Sequence, residues 1–272
     1  MITLTKAPPF ATVQDGGRIG HRGSAVPPSG PMDREALARA NLAVGNPPHA
    51  AAIEWGIGAG QLRIGAGVAV SIAGAAVTPH RDGELLTIEG LRSGAWAYIA
   101  VEGGIDVPEV MGSRSTYLPG GFGGLAGRLL RTGDVLQTGM APTGRGCMGT
   151  DLLLPNDDSD SPIEIVAGPD REMLDDDGWE RFLGAEWTVS RAVSRAGYCL
   201  DGPALSSDPP ADLPSGPVCP GTVQLPPGGR PIVLMPDGPT VGGYPRIAVV
   251  ISRSLGRLAQ RRPGESVRFA RH

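Results

Sequence analysis

The chain has 272 residues and a formal net charge of −4. This length can bury one large core or two cores of ordinary size, and two domains are the more common arrangement. The acidic balance offers no positive surface to DNA or RNA, which excludes nucleic acid as an expected partner.

Cysteine usage and the start of the chain indicate a cytoplasmic protein. The three cysteines, Cys147, Cys199 and Cys219, form no CxxC pair and cannot all be joined in disulfides, which is typical of a reducing compartment. The N-terminus has no basic start followed by an apolar segment, so no export signal is predicted. The uncharged stretch 64–80 is broken by glycines and is shorter than the ~20 apolar residues of a membrane helix. We therefore predict no membrane contact.

Short apolar runs separated by turn residues predict an all-β fold. Glycine and proline, present 42 and 27 times, lie between these runs, as turn residues do between strands. In chain order the predicted strands are Val68–Ala73, Leu85–Glu89, Trp96–Glu102, Arg128–Gln137, Ile163–Ala167, Trp187–Arg191, Thr222–Leu225, Ile232–Met235, Ile247–Ser252 and Ser266–Ala270. The predicted helices are Asp33–Val44, with Asp33 as N-cap and Gly45 past its end, Asp170–Leu183 and Ser254–Gln260.

An internal duplication predicts two similar domains. Four short sequences recur in the same order and at similar spacing. The pairs are Ser29–Leu37 with Ala167–Leu174, Ser71–Gly74 with Ser194–Gly197, Leu91–Gly94 with Leu225–Gly228, and Arg131–Val135 with Arg262–Ser266. The polar, acidic stretch 156–162 is the predicted linker. We therefore expect domains over residues 1–150 and 163–272, with a ligand cleft at their interface.

Several kinds of chemistry are absent from the sequence. Lys6 is the one lysine, so the chain has no GxxxxGK[ST] phosphate loop, no lysine for covalent biotin and no Schiff-base lysine near a plausible pocket. The four histidines are scattered without the spacing of metal ligands, and no metal site is predicted. A GxSxG nucleophile motif is also missing. These absences argue against an enzyme that works without partner chains.

Two polar, glycine-rich segments of the first half are candidates for a site. The sequence 12–18, followed by 27–33, leads to a helix N-terminus, where an anion is favoured; a turn with a helix cap is the alternative. Residues 102–116 place Arg114 among hydroxyls, where it can clamp a carboxylate or bond loop carbonyls.

Two further segments have the same character. Pro119–Gly124 can bring backbone N–H groups close to a ligand or form a mobile loop. Residues 242–246 combine two glycines, the phenol of Tyr244 and the cation of Arg246 directly before a predicted strand. A functional role is favoured for this last segment.

Together these segments resemble the KipA-like family, which is also described as the C subunit of 5-oxoprolinase, as allophanate hydrolase subunit 2 or as biotin-dependent carboxyltransferase family proteins. The resemblance covers nearly the whole chain. The family patterns TVQDxGRxGxxxxGVPPSGxMD, NxLVGN, GGIDVPxVxGSRST, GFGGxxGRxLxxGD and PGTIQVPPxGxPIVL correspond to residues 12–33, 41–46, 103–116, 121–134 and 220–234. Two stretches depart from the family: QTTGGYP is replaced by residues 239–245 and SNRMGYRLEG by residues 194–202. Both departures remove polar groups.

The resemblance implies two tandem cyclophilin-like β-barrel domains. It also implies a subunit of an ATP-dependent 5-oxoprolinase, which converts 5-oxoproline (pyroglutamate) to glutamate with a KipI-like partner chain and a third chain. ATP is then used by the complex, and this chain carries no covalent biotin.

In the hypothesis built on this resemblance, Arg114 holds the carboxylate of 5-oxoproline. Tyr244 and the N–H groups of Gly242 and Gly243 stabilise charge on an oxygen derived from the amide, while Asp15 or Asp33 orients polar partners. The remaining residues assigned to substrate binding are Ser29, Asp33, Ser113 and Arg246.

Two alternatives stay open. One is a carboxyltransferase component that acts on urea-like substrates with carboxybiotin from another protein. The other is a non-catalytic regulator that binds and antagonises a KipI-like kinase inhibitor.

Overall fold

The computed structural model describes residues 1–140, 152–155, 161–207 and 213–272. The chain forms two compact units, one of Met1–Ile19 with Ser29–Asp157 and one of Gly20–Pro28 with Asp158–His272. Segment Gly20–Pro28 therefore groups with the second unit, although it lies within the range 1–150 predicted as the first domain. Cys147 and most of the predicted linker lie outside the described residues.

The first unit is a strongly curved sheet with one helix. Its elements in chain order are β1 (Ile2–Lys6), β2 (Ala11–Gln14), α1 (Arg34–Ala43), β3 (Ala52–Trp55), β4 (Gly60–Ile64), β5 (Val70–Asp82), β6 (Leu85–Val101), β7 (Ile105–Asp106), β8 (Val135–Thr138) and β9 (Leu152–Pro155). The strands pair in the order β2-β3-β6-β4-β1-β8-β7, and β5 pairs with β6 and β9. The N–H of Ile105, which begins β7, donates to Ala51 O next to β3 at 2.9 Å, so the two ends of the sheet nearly close a barrel.

The core of this barrel comes from alternating strand residues. Strand β1 buries Ile2 and Leu4 completely and leaves the intervening residues partly exposed, the pattern of a strand with one face on a core. They pack in one cluster with Val13, Ile53 and Trp55. Burial of such apolar side chains is the main favourable free energy of folding for the unit.

The second unit is a second strongly curved sheet with two helices. After a 3₁₀ turn at Arg22–Ser24 its elements are β10 (Ile163–Ala167), α2 (Asp176–Gly184), β11 (Trp187–Val193), β12 (Gly197–Asp201), β13 (Gly216–Pro217), β14 (Thr222–Gln224), β15 (Ile232–Leu234), β16 (Val241–Gly242), β17 (Arg246–Val250), α3 (Ser252–Ala259), β18 (Ser266–Val267) and β19 (Phe269–Arg271). The main sheet has the order β18-β11-β12-β15-β14-β17-β10-β19, and β13 pairs with β16. Because Arg268 alone separates the edge strands β18 and β19, this sheet also nearly closes.

Both sheets confirm the predicted all-β fold of two tandem β-barrels with a few short helices. Asp33 is the N-cap of α1 as predicted, since its carboxylate accepts the Ala36 N–H at 3.0 Å. Gly45 has a φ of 79° just past the helix end, a left-handed conformation that favours glycine. Among the described residues, no helix is both long enough and apolar enough to cross a membrane.

Several predicted element bounds were wrong. The helix predicted over Asp170–Leu183 is a 3₁₀ turn, Arg171–Met173, followed by α2, which is capped by Asp175 through the Gly178 N–H at 2.6 Å. The side chain of Asp170 does not cap the 3₁₀ turn, because it pairs with an arginine of β17. Strands predicted at Leu85–Glu89 and Trp96–Glu102 form one long strand, β6. Pairing with β5 along most of its length carries it through the intervening glycines.

One of the four repeated sequences forms the same turn in both units. Arg131 N–H donates to the Asp134 carboxylate at 2.7 Å, and Arg262 N–H donates to the Glu265 carboxylate at 2.9 Å. The glycine between them has φ of 92° in one unit and 91° in the other, at Gly133 and Gly264. The pair Ser71–Gly74 and Ser194–Gly197 differs, because the first lies within β5 and the second connects β11 to β12.

A buried ion pair in the second unit gives a test of stability. The Asp237 carboxylate accepts from Arg195 Nε at 2.8 Å and Nη2 at 3.1 Å, and both side chains are nearly inaccessible. Asp237→Ala should lower the free energy of unfolding by about 3–5 kcal/mol, because the guanidinium stays buried without this carboxylate. Urea denaturation of the full chain measures the change. The matched control is Asp201→Ala, which removes an exposed pair with Arg230 and should cost less than about 1 kcal/mol. Equal shifts in the two variants would contradict the assignment.

Candidate functional site

A hydrogen-bonded carboxylate, that of Asp15, organises the candidate site of the first unit. Asp15 directly follows β2. Its Oδ1 accepts from Ser113 Oγ and Ser115 Oγ, both at 2.6 Å, and from Gly17 N–H at 2.9 Å. Its Oδ2 accepts the Arg114 N–H at 2.6 Å. Three of the predicted site residues, Asp15, Ser113 and Arg114, are therefore in direct contact.

These donors set the ionisation of Asp15. Burial raises the pKa of this carboxyl, but the hydrogen bonds from Ser113, Ser115 and the backbone N–H groups of Arg114 and Gly17 lower it, and the net pKa lies below the ordinary value of 3.8. Asp15 is therefore an anion at neutral pH. Since all four donors point at it, it acts as an acceptor and not as a proton donor.

The guanidinium of Arg114 points away from Asp15. Nη1 pairs with Glu109, and Nη2 lies 3.3 Å from Asp106 Oδ1. The side chain is 34 % exposed, while its buried Nε has no hydrogen-bond partner among the described residues. A substrate carboxylate that binds this fork would compete with the carboxylates of Asp106 and Glu109.

Ser29 lies in a strained loop that packs on the Asp15 turn. Its φ is 51°, a left-handed value that is uncommon for residues other than glycine. The hydroxyl is buried and finds no hydrogen-bond partner in the part of the chain that the structure describes. A Cβ on the next residue, Gly30, would lie 3.0 Å from Gly17 Cα, so the two loops touch through glycine backbone. Strained residues and buried polar atoms without protein partners both concentrate at functional sites.

The predicted anion preference before α1 is met by the protein itself. Glu54, on β3, is completely buried and accepts the Met32 N–H at 2.9 Å and the Tyr98 hydroxyl at 2.8 Å. The Tyr98 oxygen in turn accepts the Asp33 N–H at 2.8 Å. Burial and the neighbouring Glu54 and Asp33 carboxylates raise the pKa of Tyr98 well above its ordinary value. Asp33, assigned to substrate binding from the sequence, acts here as a helix cap.

The glycines of Pro119–Gly124 allow close packing. Gly123 and Gly124 have φ of 73° and 52°. A Cβ on either would overlap the 113–116 loop, at Ser115 O and at the Thr116 side chain respectively. Contact with this loop therefore requires glycine at both positions.

In the second unit, the segment 242–246 is fixed by contacts with Gln224, Asp170 and Pro217. Gly242 belongs to β16, and a Cβ there would overlap the side-chain amide of Gln224. Tyr244 is 45 % exposed. Arg246 donates from Nε and Nη2 to Asp170 at 2.6 and 3.1 Å, and from Nη1 to Pro217 O at 3.1 Å. The guanidinium of Arg246 is thus directed toward the protein.

Tyr244 and Gly243 line a pocket of about 550 Å³ within this unit. Its described lining combines hydroxyls with apolar groups and includes no charged side chain. The lining residues are Ala204, Leu205, Ser206, Ser207, Leu213, Leu225, Pro227, Gly228, Gly229, Gly243, Tyr244 and Pro245. This composition suits an uncharged group that both forms hydrogen bonds and presents an apolar face.

The predicted site residues thus fall into two groups. Asp15, Ser29, Asp33, Ser113 and Arg114 belong to the first unit, and Gly242, Gly243, Tyr244 and Arg246 to the second. That one substrate touches both groups stays a prediction. Within the described ranges, no group of three or more His, Cys, Asp or Glu side chains is arranged to hold a metal ion.

Four side chains of the site regions were not identified from the sequence: three carboxylates that bind site arginines, and the side-chain amide of Gln14. Asp106 and Glu109 hold the Arg114 guanidinium, and Asp170 holds Arg246. Gln14 donates to Thr116 O at 3.1 Å, while its buried Oε1 lacks a partner among the residues described. Gln14 lies inside a family pattern, but no local signal links the acidic residues to their arginines.

Comparison with known proteins identifies the family. Residues 24–271 match the family described as "Carboxyltransferase domain, subdomain A and B". The chain belongs to this family. It is 39 % identical to the C subunit of 5-oxoprolinase from Escherichia coli strain K12 and 31 % identical to that from Haemophilus influenzae, and each alignment covers 99 % of this chain and 90 % of the relative. The resemblance inferred from the sequence motifs is thereby confirmed.

Longer family members contain a similar region. The chain is 31 % identical to the urea amidolyase of Lachancea kluyveri, over 98 % of this chain and 16 % of that protein. Among solved structures, the urea amidolyase of K. lactis superposes with a TM-score of 0.88 and 27 % identity, over 99 % of this chain and 18 % of that one. The structure of TTHA0988 superposes with a TM-score of 0.85 and 27 % identity, over 99 % of this chain and 56 % of that one.

The Asp15 contacts predict a pH-dependent stability. Because the folded pKa lies below the ordinary value of 3.8, the contribution of Asp15 is complete above that pH and is lost as the pH falls through the lower, folded pKa. Asp15→Asn should lower the free energy of unfolding at neutral pH by about 2–3 kcal/mol, since charge-assisted hydrogen bonds are lost.

Urea denaturation at several pH values measures this effect. The gap between wild type and Asp15→Asn should narrow below about pH 4, where carboxylates protonate. Asp106→Asn, at an exposed carboxylate of the same neighbourhood, should change stability little at any pH. A gap for Asp15→Asn that is independent of pH would refute the charge-assisted role.

Proposed function

We propose that this chain acts as the C subunit of a 5-oxoprolinase, which opens the ring of 5-oxoproline to give glutamate while ATP is hydrolysed. The observation that carries the proposal is the 39 % identity to the corresponding E. coli protein over 99 % of this chain and 90 % of that protein. The local geometry supports the proposal, because Asp15 is bound by four donors and Tyr244 lines a pocket.

In the proposed site, Arg114 binds the carboxylate of 5-oxoproline through its partly exposed fork. Asp15 holds Ser113 and the Arg114 backbone in position. The buried hydroxyl of Ser29, with its left-handed backbone, is a further proposed contact to the substrate.

The described lining of the pocket in the second unit, which includes no charged side chain, suits the neutral lactam of 5-oxoproline. A lactam ring is neutral, with one N–H, one carbonyl and an apolar edge. Tyr244 and the N–H groups of Gly242 and Gly243 are proposed to stabilise the negative charge that develops on the lactam oxygen as the ring opens. Arg246 is proposed to support this segment.

Partner chains complete the proposed activity. With Lys6 as its one lysine the chain has no phosphate loop, so ATP is proposed to be used by the complex with a KipI-like subunit and a third subunit. The cysteine usage supports the cytoplasm as the compartment.

A second candidate is carboxyl transfer from carboxybiotin carried by another protein to a urea-like acceptor. It is favoured by the family description and by the superposition on the K. lactis urea amidolyase. This candidate requires biotin on a partner, whereas ring opening does not.

Co-expression with the candidate partner chains decides between these functions. The proposal predicts that the chains co-purify and that ADP and glutamate appear only when 5-oxoproline is present and all subunits are included. Turnover that needs urea and is blocked by avidin would favour carboxyl transfer. A stable complex without turnover of either substrate would refute both and favour a regulatory role.

Replacing Arg114 tests the substrate contact. Arg114→Ala in the reconstituted complex should lower the rate of glutamate release by about 100-fold or more, because the substrate loses a positioning clamp. Circular dichroism and co-purification should be unchanged. The matched control, Arg230→Ala, removes an exposed arginine paired with Asp201 in the second unit and should leave the rate within about twofold, as for other exposed pairs. An unchanged rate in Arg114→Ala would refute the assignment.

A further inference from the structure

We infer that Asp170 is a positioning residue of the second unit. By binding Arg246, Asp170 fixes the segment 242–245 and thereby places Tyr244, which lines the pocket. The catalytic part of this inference rests on the proposed function. The positioning part is a property of the chain alone and has its own test.

The contact between Asp170 and Arg246 is made in both directions. The Asp170 carboxylate accepts the Arg246 backbone N–H at 2.9 Å, Nε at 2.6 Å and Nη2 at 3.1 Å. The Asp170 N–H donates to Arg246 O at 3.2 Å. One residue is therefore held through its main chain and its side chain together, which leaves it little freedom to rotate.

The other face of the guanidinium reaches the short β13–β16 ladder. Arg246 Nη1 donates to Pro217 O at 3.1 Å, and a Cβ on Gly216 would lie 2.7 Å from the same nitrogen. Gly216 and Pro217 pair with Gly242 and Val241. Arg246 therefore links the Asp170 turn to β13, which pairs with β16, the strand directly before Gly243 and Tyr244.

Backbone packing restricts the C-terminal end of the segment, at Pro245 and Arg246. A Cβ on Gly168, two residues before Asp170, would overlap Arg246 O. The Leu225 N–H donates to Pro245 O at 2.9 Å. Tyr244 itself, by contrast, is 45 % exposed, so its position depends on the residues that flank it.

The ion pair of Asp170 and Arg246 lies outside the described lining of the pocket. Neither Asp170 nor Arg246 lines the pocket, and none of its described lining residues carries a charge. The hydrogen bonds from Arg246 lower the pKa of Asp170, so the pair remains ionic at neutral pH. Asp170 therefore acts on the pocket through backbone position, not through its field on a ligand.

The first unit contains a related contact between an aspartate and the main chain of an arginine. There Asp15 accepts the Arg114 N–H at 2.6 Å, but the guanidinium turns to Asp106 and Glu109. In both units an aspartate that follows a strand fixes the main chain at an arginine. In the second unit the same aspartate also binds the arginine side chain. The pocket is therefore lined by Tyr244 and not by the Arg246 guanidinium.

Hydrogen–deuterium exchange of the full chain tests the positioning role without any activity. Asp170→Asn should accelerate exchange in peptides that cover 241–246 by about 10-fold or more, because charge-assisted hydrogen bonds to that segment are lost. Peptides from β10 and β15 should keep wild-type rates. Arg246→Lys, which retains the charge but not the fork, should show the same local effect. The control Asp201→Asn breaks an exposed pair in the same unit and should change nothing in 241–246.

Kinetics of the reconstituted complex tests the consequence for catalysis. Asp170→Asn should lower kcat by about 10- to 100-fold, the effect of misplacing a group by about 1 Å, with KM for 5-oxoproline within about threefold. In the double variant Asp170→Glu with Arg246→Lys, the longer carboxylate meets the shorter cation. It should recover part of the kcat lost in Arg246→Lys alone.

The outcomes separate the two proposals. Wild-type turnover combined with normal kcat in both single variants overturns the catalytic part. Unchanged exchange over 241–246 in both variants, or equal acceleration over the whole second unit, overturns the positioning role. If the wild-type complex does not turn over 5-oxoproline, the proposed function fails, and the exchange result still decides whether Asp170 positions the segment.

Discussion

A carboxylate that loses part of its water in a folded protein is stable only when hydrogen-bond donors replace that water, and the candidate site of the first unit is built around such a partly buried carboxylate. Asp15 receives donors from Gly17 and from Ser113, Arg114 and Ser115, a loop about a hundred positions further along the chain. This ties the turn after β2 to the loop that carries Arg114. The packing of Gly30 on Gly17 and of Gly123 on Ser115 depends on the same arrangement.

The second unit applies the same chemistry with a different result. Asp170 also fixes the main chain at an arginine, but here it binds the guanidinium as well. In one unit a partly exposed cation lies beside acidic side chains, and in the other a phenol lies on a pocket whose described lining includes no charged side chain.

The barrels and the site loops have separate physical roles. Barrel strands bury apolar side chains and close nearly edge to edge, which gives a stable scaffold with few unpaired backbone groups. The family patterns lie largely in the connections, where glycines at positive φ and buried polar residues allow backbone to approach backbone. Asn41 and Asn46 show the same principle away from the site, since Asn46 bonds Asn41, Val101 O and the Gly103 N–H.

The sequence by itself determined the all-β class, the two-barrel organisation and the α1 helix with its Asp33 cap, because turn residues, caps and motifs are local signals. Strands β2 and β3 were missed because they are buried on both faces and show no alternation. Strands β1 and β4 were also missed, although both alternate between buried and more exposed residues. Only the tertiary structure shows that Asp170 binds Arg246 instead of capping a helix. It also shows that Asp106 and Glu109 form ion pairs with Arg114. Each of these partnerships depends on where folded strands end, and only the folded chain brings those ends together.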